Sequence, residues 1–213
     1  MKRLVHYWMT ASAALLSLPA LAAEDWQPRL EVTPFAAYKF GGEFNDSGNS
    51  DSYSLDASPA FGLVVGVPWT AESTLEVYYS RQSTEVDIAG FQSSGAPVDL
   101  DLDFLHIGGT YYIDRERAAM PYFVATAGGT RISPQGPGTR ADTFFSFGVG
   151  GGWSFYPRER IGLRLEGRAL GTLVDSDSRL FCGVNNGAGG CLIQTSGDVL
   201  WQFEVQAGVV FRF

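Results

Sequence analysis

One histidine beyond the N-terminal stretch, a run of alternating aspartates, a local cysteine pair and a set of paired charges are the residues of this chain that could do chemistry. His106 stands in Phe104-Leu105-His106-Ile107-Gly108. A catalytic base needs a nucleophile and an orienting partner within reach. No Gly-x-Ser-x-Gly and no His-Glu-x-x-His accompanies it. His106 therefore reads as a strand histidine facing a lumen or an interface. Asp99, Asp101 and Asp103 alternate with Leu100 and Leu102. Three carboxylates so spaced share one face of a strand and suit Ca²⁺, but the EF-hand pattern fails, with Phe104 in place of its Gly and Thr110 in place of its Glu. They read as the solvated rim of a strand. Cys182 and Cys191 lie in a Gly/Asn-rich segment. In an exported chain such a pair reads as a disulfide, worth about 2–3 kcal/mol for so short a loop. The spacing is not Cys-x-x-Cys and no histidine is near, which argues against a metal or redox pair. Gly148–Gly152 sits in a strand pattern with no helix after it, so it is not a phosphate loop. No catalytic residue, metal or cofactor is expected.

The remaining chemistry is electrostatic. Glu31, Lys39, Glu76, Arg164, Glu166, Arg168, Glu204 and Arg212 occupy positions that alternate with apolar ones. In the last strand Trp201, Phe203, Val205, Ala207, Val209, Phe211 and Phe213 face one way. Gln202, Glu204, Gln206, Gly208 and Arg212 face the other, with Val210 the exception. Before it, Ile161, Leu163, Leu165, Ala169 and Leu173 oppose Arg164, Glu166 and Arg168. A charge facing hydrocarbon costs roughly 2–4 kcal/mol at the midplane. The apolar face must then meet lipid and the charged face a lumen. Charges buried in so narrow a lumen persist only if paired or hydrated. They are expected to form a salt-bridge plug centred on Arg164, Arg168, Glu166 and Glu204, the rival being a selectivity lining.

Eight segments have the length and alternation to position these charges: 30–43, 56–68, 73–86, 99–113, 121–133, 143–155, 161–174 and 198–213. Pro34 and Pro59 suggest that the first two begin nearer Phe35 and Ala60. The connections alternate. Trp69–Glu72, Asp114–Met120 and Tyr156–Arg160 are short, whereas Phe44–Leu55, Asp87–Val98, Pro134–Asp142 and Asp175–Gly197 are longer and polar. This predicts an all-β, eight-stranded, antiparallel up-and-down transmembrane barrel with short periplasmic turns and longer extracellular loops. Trp69, Tyr111, Tyr122, Trp153, Phe155, Phe211 and Phe213 suit a periplasmic aromatic girdle. Tyr38, Phe40, Phe44, Tyr79, Phe145 and Trp201 suit an outer one. The glycines at 148–152 mark a bulge or make room for a bulky lumen neighbour.

Lys2 and Arg3, the apolar run Leu4–Leu18 and Ala20-Leu21-Ala22 have the order of an export signal, so residues 1–22 are expected to be cleaved and 23–213 to form one barrel domain. Losing Lys2 and Arg3 takes the formal charge from −8 to −10. Such acidity excludes a nucleic-acid partner. Contact with anionic lipopolysaccharide then needs local arginines or bridging divalent cations.

Gln206, Gly208, Phe211 and Phe213 fill the polar–x–Gly–x–x–apolar–x–aromatic pattern and resemble the C-terminal insertion signal of outer-membrane barrels. Ile107-Gly-Gly-Thr-Tyr-Tyr-Ile113, a charged turn, then Pro121-Tyr-Phe-Val-Ala-Thr-Ala-Gly-Gly129 resembles the central hairpin of the OmpA/OmpX-like, opacity-type superfamily. The resemblance implies an eight-stranded barrel in the outer membrane of a Gram-negative bacterium, inserted by the outer-membrane assembly machinery among lipid and lipopolysaccharide, with no single activity. The expected role is non-enzymatic, structural or surface-interacting through the outer loops. A small passive pore is the alternative, and a secreted lipocalin-like ligand carrier a further one.

Overall fold

The computed structural model describes residues 30–45, 52–86, 98–135, 140–158, 160–174, 182–185, 188–191 and 199–213. The strands in chain order are β1 (Glu31–Gly41), β2 (Glu43–Asn45), β3 (Ser52–Ser54), β4 (Ser58–Pro68), β5 (Ser73–Val86), β6 (Val98–Tyr112), β7 (Ala119–Gln135), β8 (Asp142–Arg158), β9 (Ile161–Leu173), β10 (Cys182–Asn185), β11 (Ala188–Cys191) and β12 (Val199–Arg212). Eight of them close an antiparallel barrel in the order β1-β12-β9-β8-β7-β6-β5-β4. The pairs β2–β3 and β10–β11 are separate short hairpins in the first and last long connections. The expected cleavage site and the tips of the loops, Asp46 and Asp51 included, lie outside the described residues.

Closure follows from register. One row of partners runs Pro121–Trp153–Leu165–Ala207–Ala36–Phe61–Arg81–Asp103–Arg131 around the wall. It leaves β7 at Pro121 and returns to β7 at Arg131, ten residues further along. That stagger over eight strands tilts every strand against the barrel axis. Each strand of the wall has two partners, so no strand edge faces lipid.

Both prolines lie inside their strands, not before them. The pairing of β1 with β4 runs through Pro34↔Leu63, while its pairing with β12 skips Thr33 and Pro34. A ring without an N–H sits where the ladder is already interrupted. Pro59 pairs with Tyr38, and the β4–β5 ladder starts only at Ala60↔Gln82.

The short turns are fastened by side chains. The Thr70 hydroxyl oxygen accepts from the backbone N–H groups of Glu72 (3.2 Å) and Ser73 (3.0 Å). Asp114 accepts from the Glu116 N–H (2.9 Å) and from Arg117 Nε (2.8 Å). The backbone N–H first, then the guanidinium, hold its carboxyl below the usual carboxylate range.

At the opposite end the wall is uneven. The β4–β5 ladder ends at Ala60↔Gln82, while β5–β6 continues to Val86↔Val98 and β6–β7 to Asp99↔Gln135. A three-stranded sheet therefore projects beyond its neighbours. Along this projection the polarity reverses. Leu100, Leu102 and Phe104 point inward and are buried, and Asp99, Asp101 and Asp103 point outward. Above the lipid there is water outside, so the hydrocarbon rule no longer applies and ordinary burial does.

Candidate functional site

Within the apolar belt the two faces are sharply sorted. Leu163, Leu165, Phe203 and Val205 are exposed on the outside, while Arg164, Glu166, Arg168 and Glu204 are buried inside. Glu31, Lys39 and Glu76 are also buried in the lumen, and Arg212 is partly so.

The ionised groups form three clusters. The central one is held by Arg164. Its Nη1 lies 2.6 Å from Glu76 Oε1 and its Nη2 lies 2.7 Å from Glu166 Oε2. Arg168 reaches the other oxygen of Glu166 through Nε at 2.8 Å and, off the hydrogen-bond direction, through Nη2 at 2.6 Å. Thr110 donates to Glu76 and Tyr122 to Glu166, each at 2.8 Å. The second cluster pairs Lys39 with Glu204 at 3.2 Å. Tyr78 donates to both oxygens of Glu204, and Lys39 Nζ stands 3.7 Å from the centre of the Phe104 ring. Arg168 stacks over Tyr78 at 4.1 Å and so links the two clusters. The third, at the periplasmic mouth, joins Arg212 Nε to Glu31 at 2.7 Å, with the guanidinium over Tyr156.

The expected centre is corrected in one respect. Glu204 belongs with Lys39 and Tyr78, and Glu76 takes its place beside Arg164. Alternation puts Glu76 and Glu204 on the same inner surface, but not which cation each meets. Tyr122 is also corrected: it is buried in the lumen and not part of a girdle. Phe123, beside it, is the exposed ring. The glycines at 148–152 make room. A Cβ on Gly150 would strike the Gly167 carbonyl oxygen and crowd Arg168, and one on Gly152 would strike the Leu165 carbonyl oxygen and the Tyr122 hydroxyl. Among the described residues the β8–β9 register shifts only between Phe155 and Arg158 and runs unbroken through Gly148–Gly152, so the glycine run is not a bulge.

Above the clusters lies a neutral layer. His106 Nε2 is 2.7 Å from Ser146 Oγ and Nδ1 is 3.2 Å from Thr126 Oγ1. Thr130 donates to Ser146, and Thr172 to Thr130. A serine against a histidine is the contact of an activated nucleophile. Here the histidine is held by a hydroxyl and not a carboxylate, and both residues are buried at 1% exposure or less. Over them Leu55, Leu100, Leu102, Ile132, Phe144, Leu170, Val174 and Leu200 form an apolar cap. The described residues thus shut the lumen twice, with a charged belt and with an apolar lid.

The outward aspartates are locally satisfied. Asp101 accepts from Ser83 (2.6 Å), Gln135 (2.8 Å) and Arg81 (3.0 Å), and Asp103 accepts from Tyr79 (2.9 Å). Cys182 and Cys191 stand opposite one another as register partners in β10–β11. Gln206, Gly208 and Phe211 lie on the closing strand and Phe213 directly follows it, with the Phe213 N–H donating to the Leu30 carbonyl at 2.9 Å.

The family described as outer membrane protein β-barrel domain matches residues 9–213. Among curated proteins no relative matches the chain. Three solved structures are similar in fold. Neisserial surface protein A is 18% identical, with a TM-score of 0.60 over 86% of this chain and 97% of its own. OprG from Pseudomonas aeruginosa is 10% identical, with a TM-score of 0.56 over 87% and 96%. Ail of Yersinia pestis, solved with the heparin analogue sucrose octasulfate, is 12% identical, with a TM-score of 0.51 over 88% and 100%.

Proposed function

The chain belongs to the outer-membrane β-barrel family of Gram-negative bacteria, and from that premise we propose that it is a closed, non-enzymatic scaffold that holds interacting loops at the cell surface. The observation that carries this reading is the double closure of the lumen. Four acids and four bases (Glu31, Glu76, Glu166, Glu204; Lys39, Arg164, Arg168, Arg212) meet in ion pairs, and apolar side chains seal the outer end. An ion entering this path has to displace a buried cation from its carboxylates, which costs several kcal/mol. The outward apolar face and inward charged face oppose what a soluble ligand carrier requires.

Export through a signal at residues 1–22, insertion by the assembly machinery and contact with lipopolysaccharide belong to this reading. So does a Cys182–Cys191 disulfide, which the opposed register of the β10–β11 hairpin supports. Thiol counting on unfolded protein should find two thiols with reductant and none without. Two thiols in both samples would remove the disulfide.

The sign of the loops narrows the partner. The long connections carry Asp46, Asp51, Asp87, Asp142, Asp175 and Asp177 against Arg140 and Arg179. A sulfated sugar of the kind bound by Ail would be repelled here, and a basic or cation-bridged partner is favoured. Single-channel recording in planar bilayers tests the scaffold reading. The expected trace is flat, and reproducible conductance steps from the intact chain would establish the pore instead.

A further inference from the structure

The neutral layer has a direction. Thr172 donates to Thr130 at 3.2 Å and Thr130 to Ser146 at 2.7 Å, so the Ser146 proton points to His106 Nε2, 2.7 Å away. Nε2 is thereby the bare nitrogen of the ring, and Nδ1–H donates to Thr126 Oγ1 at 3.2 Å. Hydroxyls on β7, β8 and β9 hold one imidazole in one neutral form.

A second proton on the ring has no place there. Nε2–H would face the Ser146 proton, and all three hydroxyls of the chain would have to turn over. Thr126 Oγ1 already accepts from Arg168 Nη1 at 3.4 Å, so an imidazolium and a guanidinium would share one oxygen. The Phe104 ring, edge-on to the imidazole at 6.1 Å, carries Lys39 Nζ on its face. Tyr78 meets the imidazole at 5.8 Å, and its own proton is spent on Glu204. The lumen carboxylates are engaged as well: Glu76 on β5 by Arg164 and Thr110, Glu166 on β9 by Arg164, Arg168 and Tyr122, and Glu204 on β12 by Lys39 and Tyr78. Protonated His106 would be a third cation beside Arg168 and Lys39, with no anion left for it. A buried charge so placed is stable only if water reaches it.

The layer and the lid share strands. Ile132, Phe144 and Val174 of the lid stand two residues from Thr130, Ser146 and Thr172, on their extracellular side. The same lid roots the long connections. Leu55 ends the first, Leu100 and Phe144 follow the second and third, and Val174 and Leu200 flank the last. An apolar closure holds while it stays dry, and a charge beneath it draws water in.

We infer that His106 is an acid-released latch: its uptake of a proton reverses the hydroxyl chain, wets the layer and loosens the lid in which the four outer loops are rooted. The charged belt below stays paired, so release opens an outer vestibule and not a through-pore. The inference rests on the scaffold reading of those loops and adds the condition under which they change their presentation. A form that excludes a proton its alternative accepts loses ground as pH falls.

Nuclear magnetic resonance of the isotope-labelled barrel in lipid nanodiscs tests this, with His106→Gln identifying the ring signals. The ring nitrogens of His106 and the methyl groups of Ile132 and Leu200 are followed from neutral pH to about pH 4. At neutral pH Nε2 should be bare and Nδ1 protonated. On acidification the lid methyls should pass to a water-exposed state with the same midpoint as the ring. The ratio of the two states should change about tenfold per pH unit, as one proton requires. In His106→Gln, with folding verified by unboiled gel mobility, the lid methyls should keep their neutral-pH state throughout. Ser146→Ala, which removes only the donor to Nε2, should move the midpoint to higher pH, and it decides the matter if His106→Gln does not fold. A proton on Nε2 at neutral pH would overturn the inference. So would lid methyls that stay put while the ring titrates, an unmoved midpoint in Ser146→Ala, or release that persists in His106→Gln and so belongs to the carboxylates. None of these results touches the scaffold reading, which falls instead to conductance steps at neutral pH.

Discussion

Arg164 touches two carboxylates at once, so its removal is costlier than a count of contacts suggests. Arg164→Ala leaves Glu76 without a cation and Glu166 with Arg168 alone, in a place that water reaches poorly. The expected loss is about 3–5 kcal/mol of unfolding free energy, read from a urea titration of the compact band on unboiled gels. Replacing Arg164 and Glu76 together by Met removes both charges and should cost clearly less, because neither is left unpaired. If the double replacement is as damaging as Arg164→Ala, the pair is not the unit of stability. At this scale the sequence disclosed which residues face inward but not their partners. Glu76 and Glu204 share a parity, and only the stagger of the closed wall brings Glu76 to Arg164 and Glu204 to Lys39.

Individual strands were legible in proportion to the lipid they meet. β9 and β12 cross the whole belt with charges on the inner side, so Arg164, Glu166, Arg168 and Glu204 fixed their faces without ambiguity. Val205 lies on the outer face, and Val205→Arg should cost roughly 2–4 kcal/mol by the same urea titration. A shift near zero would mean that this level of β12 lies outside the hydrocarbon. The upper part of β6 was harder to read, because Leu100 and Leu102 point inward only where the strand has left the membrane. Tyr122 was misread since a tyrosine suits both an interface and a lumen, and the deciding facts are glycines on the neighbouring strand. Pro34 was misplaced because a proline forbids one ladder, not two. In the turns, Asp114 supports its hairpin while ionised. With its carboxyl held below the ordinary range, that support is present at neutral pH and lost as pH falls through the lowered value.

For the molecule as a whole, the closing strand decides everything. β12 pairs with both β1 and β9, so a chain truncated before Val199 leaves two open edges in hydrocarbon and removes Glu204 from beside Lys39. Each unsatisfied backbone group there costs several kcal/mol. The truncated chain should show no compact, heat-shifting band at all, and a partial one would indicate that the wall folds piecemeal. The eight ionised groups of the interior have a further consequence. They sum to zero formal charge. A Donnan voltage across the envelope does work on a displaced charge, about 2.3 kcal/mol per 100 mV. Acting on a set with no net charge, a uniform field of this kind exerts no resultant force along the axis.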